Sequence, residues 1–417
     1  MIFLLVITSL VLVSFLVNHY IGLVNITNPI VPLYYYHTFF FLIALTYIER
    51  YAHVEISASV VYMILYGYIA LFFSAVFFYK LLGGRKGAVL ARCFHNHLTP
   101  SSSYIWAAFI IQTIAIVLIL VFYMYKGVLI LADDANNYRV DARKGLGFVI
   151  LMFRWVSELF VVMLSLFLFT SKRKSLLLAI LFVSYYIITF FLLLGLGSRS
   201  FVLELVLIVI GIFYWSRCRG FDFKLLFTGI LFFSVLGLLG VFRQGFDVNA
   251  ALVFEKAVWR PFVNIQNYQW IVNDFIGNDK LNGESLLIEL NTLLPGYQPN
   301  FGTWYKEVYG YDFSGGSITV TYLGEAFANF GYAGVFIFPL AIGFFVAIIS
   351  YICQRRITFI WMFVSIMMSL SLKGIINVGI GATLVGTVFP VVFYICMFFL
   401  IRYFILLISQ KRDVINV

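Results

Sequence analysis

Apolar runs alternate with short polar ones from one end of the chain to the other. They fall at roughly 1–17, 33–48, 57–79, 102–125, 148–170, 175–195, 200–216, 225–241, 333–352, 357–372 and 379–401. Each is near the ~20 residues that a helix needs to cross a bilayer core, with the second and seventh on the short side. Helices are predicted because hydrocarbon satisfies no backbone polar group, and the short alternating segments of a membrane β-barrel are absent. The pattern predicts about eleven transmembrane helices.

One interruption stands apart. Residues 242–332 form a polar stretch far longer than an ordinary connection, which marks a functional segment or a small domain. The chain therefore divides into 1–241 with about eight spans, the 242–332 loop, and 333–417 with about three spans. Within the loop, helices are expected at 250–260, 262–275 and 284–294, broken by Pro261 and Pro295. Phe262, Ile265, Tyr268, Trp270, Val272 and Phe275 can share one apolar face, with Trp259 and Trp270 suited to an interface. The stretch 295–316, rich in Gly, Pro and Asn, reads as irregular loop. Ser317 is placed to cap a helix that runs on towards the ninth span.

Composition sharpens the class. Of 417 residues, 63% are hydrophobic and 11% are charged, against about 25% charged in a soluble domain. With a mean hydropathy of +1.01, a soluble enzyme carrying a single anchor is excluded. The net charge of +10 invites a nucleic-acid reading, but its distribution argues against one. Lys80, Arg85, Lys86, Arg92, Lys172, Arg173, Lys174, Arg217, Arg219, Lys224, Arg355, Arg356, Arg402, Lys411 and Arg412 lie in alternate connections that hold two acids, Asp222 and Asp413. The remaining connections hold 12 basic and 14 acidic residues. An excess of Lys and Arg marks cytoplasmic loops, so the 242–332 loop is expected outside and the C-terminus inside. Cys93, Cys218 and Cys353 fall on the inner side and Cys396 within the last span, so no disulfide framework is expected. The first apolar run has no basic flank and no small-residue cleavage site, and reads as a retained span.

Charges within apolar spans are costly and point to function by default. Arg154 and Glu158 stand at i, i+4 and can pair, and Arg154 lies roughly 10 Å below the outer surface by helical rise. Glu204 reaches a similar depth on another span, little more than a turn beyond Arg199, whose guanidinium it could orient. Packing pairs between helices would explain these charges equally well. Gly197-Ser198-Arg199-Ser200 opens a span with small side chains, hydroxyls and free N–H groups, a setting that accepts an anion. Arg243, Arg260 and Lys373 converge on the same outer rim. Guanidinium groups there suit a lipid-linked pyrophosphate, while snorkelling towards headgroups is the plainer account of Arg243 and Lys373.

Further on, Glu325 shares a helix face with Thr321 and Tyr322 near the membrane surface. It is a candidate general base for a sugar hydroxyl, or else a partner for an arginine. Tyr297, Trp304, Tyr305, Tyr309, Tyr311, Tyr322 and Tyr332 crowd the same loop, and rings with a polar tip suit carbohydrate. No histidine follows His97, which excludes a histidine mechanism based on the large loop. No metal-ligand spacing, P-loop or dinucleotide fingerprint is present, and Asp133-Asp134 reads as a solvated turn, so no cofactor is expected.

The Gly-Ser-Arg-Ser at 197–200, the single long outer loop and GGSITVTYLGEAFANFGYAGV at 315–335 resemble the oligosaccharide repeat unit polymerases, the Wzy-type O-antigen polymerases. The resemblance covers mainly residues 190–350. It implies an all-α integral membrane protein with a fold of the GT-C glycosyltransferase kind, in the bacterial inner membrane with its large loop in the periplasm. It further implies transfer of a growing glycan from undecaprenyl pyrophosphate to the terminal sugar of a new lipid-linked repeat. On that analogy Arg199, Arg243 and Arg260 hold the pyrophosphates and Glu325 sits near the acceptor. The expected partners are the lipid-linked oligosaccharide, the bilayer, and a flippase and a chain-length regulator of the same pathway; no nucleic acid is expected.

Two other classes compete. A flippase would show interrupted helices and polar residues at the midplane, whereas here polar residues gather at the outer rim. A ligase that moves finished glycan to lipid A core is disfavoured by the missing outer-loop histidine.

Overall fold

A computed structural model describes residues 2–25, 28–46, 55–86, 102–131, 146–170, 176–197, 199–216, 250–294, 298–312, 317–355 and 359–415, with isolated positions at 138, 142, 227 and 234. All regular secondary structure among the described residues is helical, with no strand. In chain order the helices are α1 (Ile2–Tyr20), α2 (Ile30–His37, running into a π segment Thr38–Ile43), α3 (Ala58–Leu81), α4 (Ser102–Lys126), α5 (Gly147–Thr170), α6 (Leu176–Gly195) and α7 (Arg199–Ser216). They continue with α8 (Ala250–Phe275), α9 (Glu284–Asn291), α10 (Phe301–Val308), α11 (Thr321–Arg355), α12 (Phe359–Val378), α13 (Ile380–Thr383) and α14 (Phe389–Ile415).

Among the described residues, six helices are long and apolar enough to cross a membrane: Ile2–Tyr20, Ala58–Leu81, Ser103–Leu131, Gly147–Phe169, Leu176–Gly195 and Thr321–Arg355. Shorter apolar helices occupy Ile30–Thr46, Phe201–Phe213, Ile366–Val378 and Ile395–Leu407. The expected span at 225–241 lies outside the described residues except at Phe227 and Ser234.

The chain forms two compact units that interleave in sequence. The first comprises Met1–Leu90, Gly220–Ile357 and Val364–Leu384; the second comprises Ala91–Arg219, Thr358–Phe363 and Val385–Val417. The division therefore does not follow the three consecutive segments read from hydropathy. Residues 262–329 belong with the first helices, because the apolar face of α8 is buried rather than free.

In the first unit α3 packs along α11, with α1 against α3 and α8 against α11. The α3–α11 seam is close because Gly343 has no side chain: a Cβ there would meet Ser74 Cβ at 2.8 Å and Ala75 N at 2.9 Å. Small residues at such a seam let backbones approach where no water drives association. Ser74 and Tyr66 donate from α3 to the carbonyls of Leu340 (2.6 Å) and Phe336 (3.1 Å), on either side of Pro339. In the second unit α5 is the centre, packed by α4, α6, α7 and α14. Gln112 on α4 donates to Ser157 on α5 (3.2 Å) and Thr189 on α6 (2.8 Å), all three side chains being buried.

Two local expectations are corrected. Pro261 lies inside α8 and does not divide it. Removing one N–H and adding a ring clash costs about 3 kcal/mol, yet Phe262, Ile265, Tyr268, Ile271, Val272 and Phe275 are all buried on the helix's one face, which outweighs it. Within the supposed loop 295–316, α10 forms because Asn300 caps it, its Oδ1 accepting the Thr303 N–H at 2.8 Å, and because Phe301 and Tyr305 are buried. The helix expected to run on towards the ninth span is α11, which begins at Thr321 and is interrupted at Gly331, where φ is +60°.

Candidate functional site

The nine residues Thr321–Asn329 are all buried, an enclosed helical segment between two irregular points. At its start Thr321 adopts φ +60°, a strained conformation for a β-branched residue. That turn lets Thr321 Oγ1 accept the Gly324 N–H at 3.1 Å. The cap is thus Thr321 and not Ser317, because 317–320 is non-helical and held to α10, with the Ile318 N–H donating to Gly302 O (3.2 Å). Thr319 Oγ1 accepts from Asn267 Nδ2 at 2.6 Å, which ties this strand of chain to α8.

Glu325, one turn further, is 4% exposed and both of its oxygens are occupied. Oε1 accepts from Ser285 Oγ (2.9 Å) and the Gly381 N–H (3.2 Å), and Oε2 accepts from the Gly381 N–H (3.1 Å) and the Ile380 N–H. A carboxylate at the first N–H groups of a helix is favoured by the partial positive charge there. Gly379 sets up the approach with φ +95°. Asn329, four residues on, donates to Ser285 Oγ (2.7 Å), and its Oδ1 accepts the Gly283 N–H (2.9 Å).

A second carboxylate faces the same turn. Glu289 on α9 is 4% exposed, and its Oε1 accepts the Phe301 N–H at 2.8 Å. A Cβ placed on Gly381 would lie 2.9 Å from Glu325 Oε1 and 3.1 Å from Glu289 Cγ, so both acids converge on the missing side chain. Burial raises the Glu289 carboxyl to about 7, with the Phe301 N–H opposing and the Glu325 charge adding to the rise.

Beside this lies an aromatic cluster built on α8 and α10. Tyr305 and Tyr311 both donate to Asp274 Oδ2, the latter at 2.7 Å. Burial, with Asp274 nearby, pushes the Tyr311 hydroxyl up to about 12 and the Tyr305 hydroxyl higher still, so both remain donors. Trp270 stacks on Tyr311 with centroids 4.8 Å apart, and Tyr309 packs on Tyr305 at 4.8 Å. Four of the loop aromatics singled out by sequence thus gather here, Trp304 included through its stacking on Phe301 at 5.6 Å.

Two sequence-based candidates have their polar groups engaged within the protein. Tyr322 is fully buried, and its hydroxyl pairs with His37 Nε2 at 2.7 Å inside a cage of Phe41, Tyr68 and Phe72, so it offers no group to a substrate. Arg154 is enclosed by carboxylates: Nε bonds Glu158 Oε1 (3.0 Å) and Glu204 Oε2 (3.0 Å), and Nη2 bonds Glu204 Oε2 (2.7 Å). Trp155 and Phe201 flank the guanidinium at 4.6 and 4.7 Å. Arg154 thus ties α5 to α7, and a pyrophosphate bound there would compete with two carboxylates. Glu204 thus bonds Arg154, while the Arg199 side chain that it was expected to orient lies outside the described residues.

Arg199 stands at the first position of α7, Arg260 within α8 and Lys373 within α12; their side chains, and Arg243 as a whole, lie outside the described residues. Tyr297, Asp133 and Asp134 do as well. Among the described residues no three His, Cys, Asp or Glu side chains are grouped to hold a metal ion. Sequence reading passed over Ser285, Glu289, Asn329, Asp274 and the Gly379–Gly381 turn. The Gly-Ile-Gly at 379–381, shortly after Lys373, was the visible signal; nothing separated Glu289 from the other acids of the loop.

Compared with known proteins, the chain matches no family model, no curated protein and no solved structure.

Proposed function

We propose that the chain is a membrane glycosyltransferase that polymerises lipid-linked oligosaccharide repeat units at the periplasmic face of a bacterial inner membrane. The observation that carries this reading is the gathering of carboxylates and phenol hydroxyls within residues 262–329, against helices long and apolar enough to span a bilayer. Such groups hydrogen-bond sugar hydroxyls, and the stacked rings of Trp270 and Tyr311 suit a pyranose face.

In the proposed reaction the acceptor hydroxyl oxygen attacks the anomeric carbon of the growing glycan. The bond from that carbon to the undecaprenyl pyrophosphate breaks, its electron pair leaving with the phosphate oxygen. Arg199, Arg243 and Arg260 are assigned to the pyrophosphate, with Lys373 on the same rim, because guanidinium groups stabilise the charge that develops there. Glu325 lies near the acceptor, and a carboxylate of its cluster takes the acceptor proton.

The surface polysaccharide of a deletion strain tests the reading. Loss of the long-chain ladder with one repeat retained is the expected result. Loss of every repeat would point instead to a flippase, and an unchanged ladder would end the proposal.

A further inference from the structure

The two acids at the Gly379–Gly381 turn differ in one respect that decides their chemistry. Glu325 has both oxygens engaged by three donors, Ser285 Oγ and the Ile380 and Gly381 N–H groups. Glu289 has Oε1 fixed by the Phe301 N–H, while Oε2 has no hydrogen-bond partner among the described residues. A general base needs a free lone pair aimed from a held position. Glu289 meets that condition and Glu325 does not.

We propose that Glu289 is the general base of the glycan transfer, and that Glu325 is a positioning residue that holds the Gly379–Gly381 turn beside it. The inference rests on the reading of the protein as a glycan polymerase. The acceptor O–H passes its proton to Glu289 Oε2 as its oxygen bonds the anomeric carbon, the pyrophosphate leaves with the electron pair of the broken bond, and the carboxylic acid then releases its proton to water. The fixed Phe301 N–H and the absent Cβ at Gly381 keep Oε2 oriented.

The charges around Glu289 favour a group that exchanges its proton near neutrality. From α11 the facing charge is Glu325, and α13 presents backbone only. On α10 the charged residues are Lys306 and Glu307, and Glu284 opens α9 on an exposed turn. Lys280, in the preceding loop, is engaged with the Phe275 and Asn278 carbonyls. A base whose carboxyl titrates at about 7 is matched to work near that pH.

The test is polymerisation by the purified full-length chain in liposomes, supplied with a lipid-linked repeat unit across a pH series. Wild-type rate should rise through an acidic limb centred near pH 7. Glu289→Gln should lower the rate by about 10²–10⁴-fold and abolish the limb. Glu325→Gln, by removing a neighbouring negative charge, should move the limb to lower pH. Glu289→Asp provides a second measure if the amide variant does not fold: a displaced limb supports the proposal. A wild-type rate and limb in either Glu289 variant overturns it while leaving the polymerase reading intact. Absence of any product from wild-type protein overturns that reading instead.

Discussion

Glu325 accepts hydrogen bonds on both carboxylate oxygens, and that saturation sets the effect of replacing it. Glu325→Gln turns one acceptor into a donor that faces the Ile380 N–H or the Ser285 hydroxyl. An unsatisfied buried group of this kind costs about 1–3 kcal/mol, so a lowered melting temperature in detergent is expected together with shortened polymer. Glu289 carries a different signature. Between pH 4.5 and about 7 the unfolded chain releases this proton while the folded chain keeps it, so stability falls as pH rises through that window and is unaffected below it. Glu289→Gln should flatten the fall, by on the order of 2–3 kcal/mol, in thermal scans at pH 4.5 and 7.5. In the second unit, Arg154→Ala removes the guanidinium that bonds both Glu158 and Glu204 and should destabilise by about 3–5 kcal/mol. Arg199→Ala should instead leave single-repeat product at normal protein level, because its assigned work is on the leaving pyrophosphate, worth about 10²–10³ in rate. A full ladder in that variant would place the pyrophosphate site elsewhere on the rim.

Among elements, the α3–α11 seam and the α8–α10 cluster show how far sequence reaches. The apolar spacing of 262–275 was legible, and all but Trp270 of the face it predicted is buried. Its partner was not, because periodicity marks a face without saying what covers it. Pro261 misled for the same reason: the local rule was sound and burial outweighed it. The Asn300 cap was a readable signal within a stretch dominated by Gly, Pro and Asn. Glu325 was legible as a polar residue in an apolar helix, whereas its donors come from residues 285, 380 and 381, a juxtaposition no spacing can reveal. At the seam itself, Gly343→Leu would drive a side chain into the α3 backbone. An overpacking cost of several kcal/mol is expected, read as early thermal aggregation of the detergent-solubilised protein.

At the scale of the whole molecule, the charge of the connections gives an orientation that can be measured. Reporter fusions after residues 90 and 220 should behave as cytoplasmic and one near residue 280 as periplasmic. A cytoplasmic result at 280 would place the Glu289–Glu325 cluster on the wrong side for a periplasmic polymerase. The carboxylates of the proposed chemistry, Glu289 and Glu325, both lie in the first compact unit. The central claim is the reaction, and reconstitution tests it most directly. Purified chain in liposomes is given a single lipid-linked repeat unit and the products are resolved by size. The account predicts a ladder of multiples of the repeat, with undecaprenyl pyrophosphate released in step; lipid-linked repeats that cross the bilayer unchanged, or remain single with the protein folded, would contradict it.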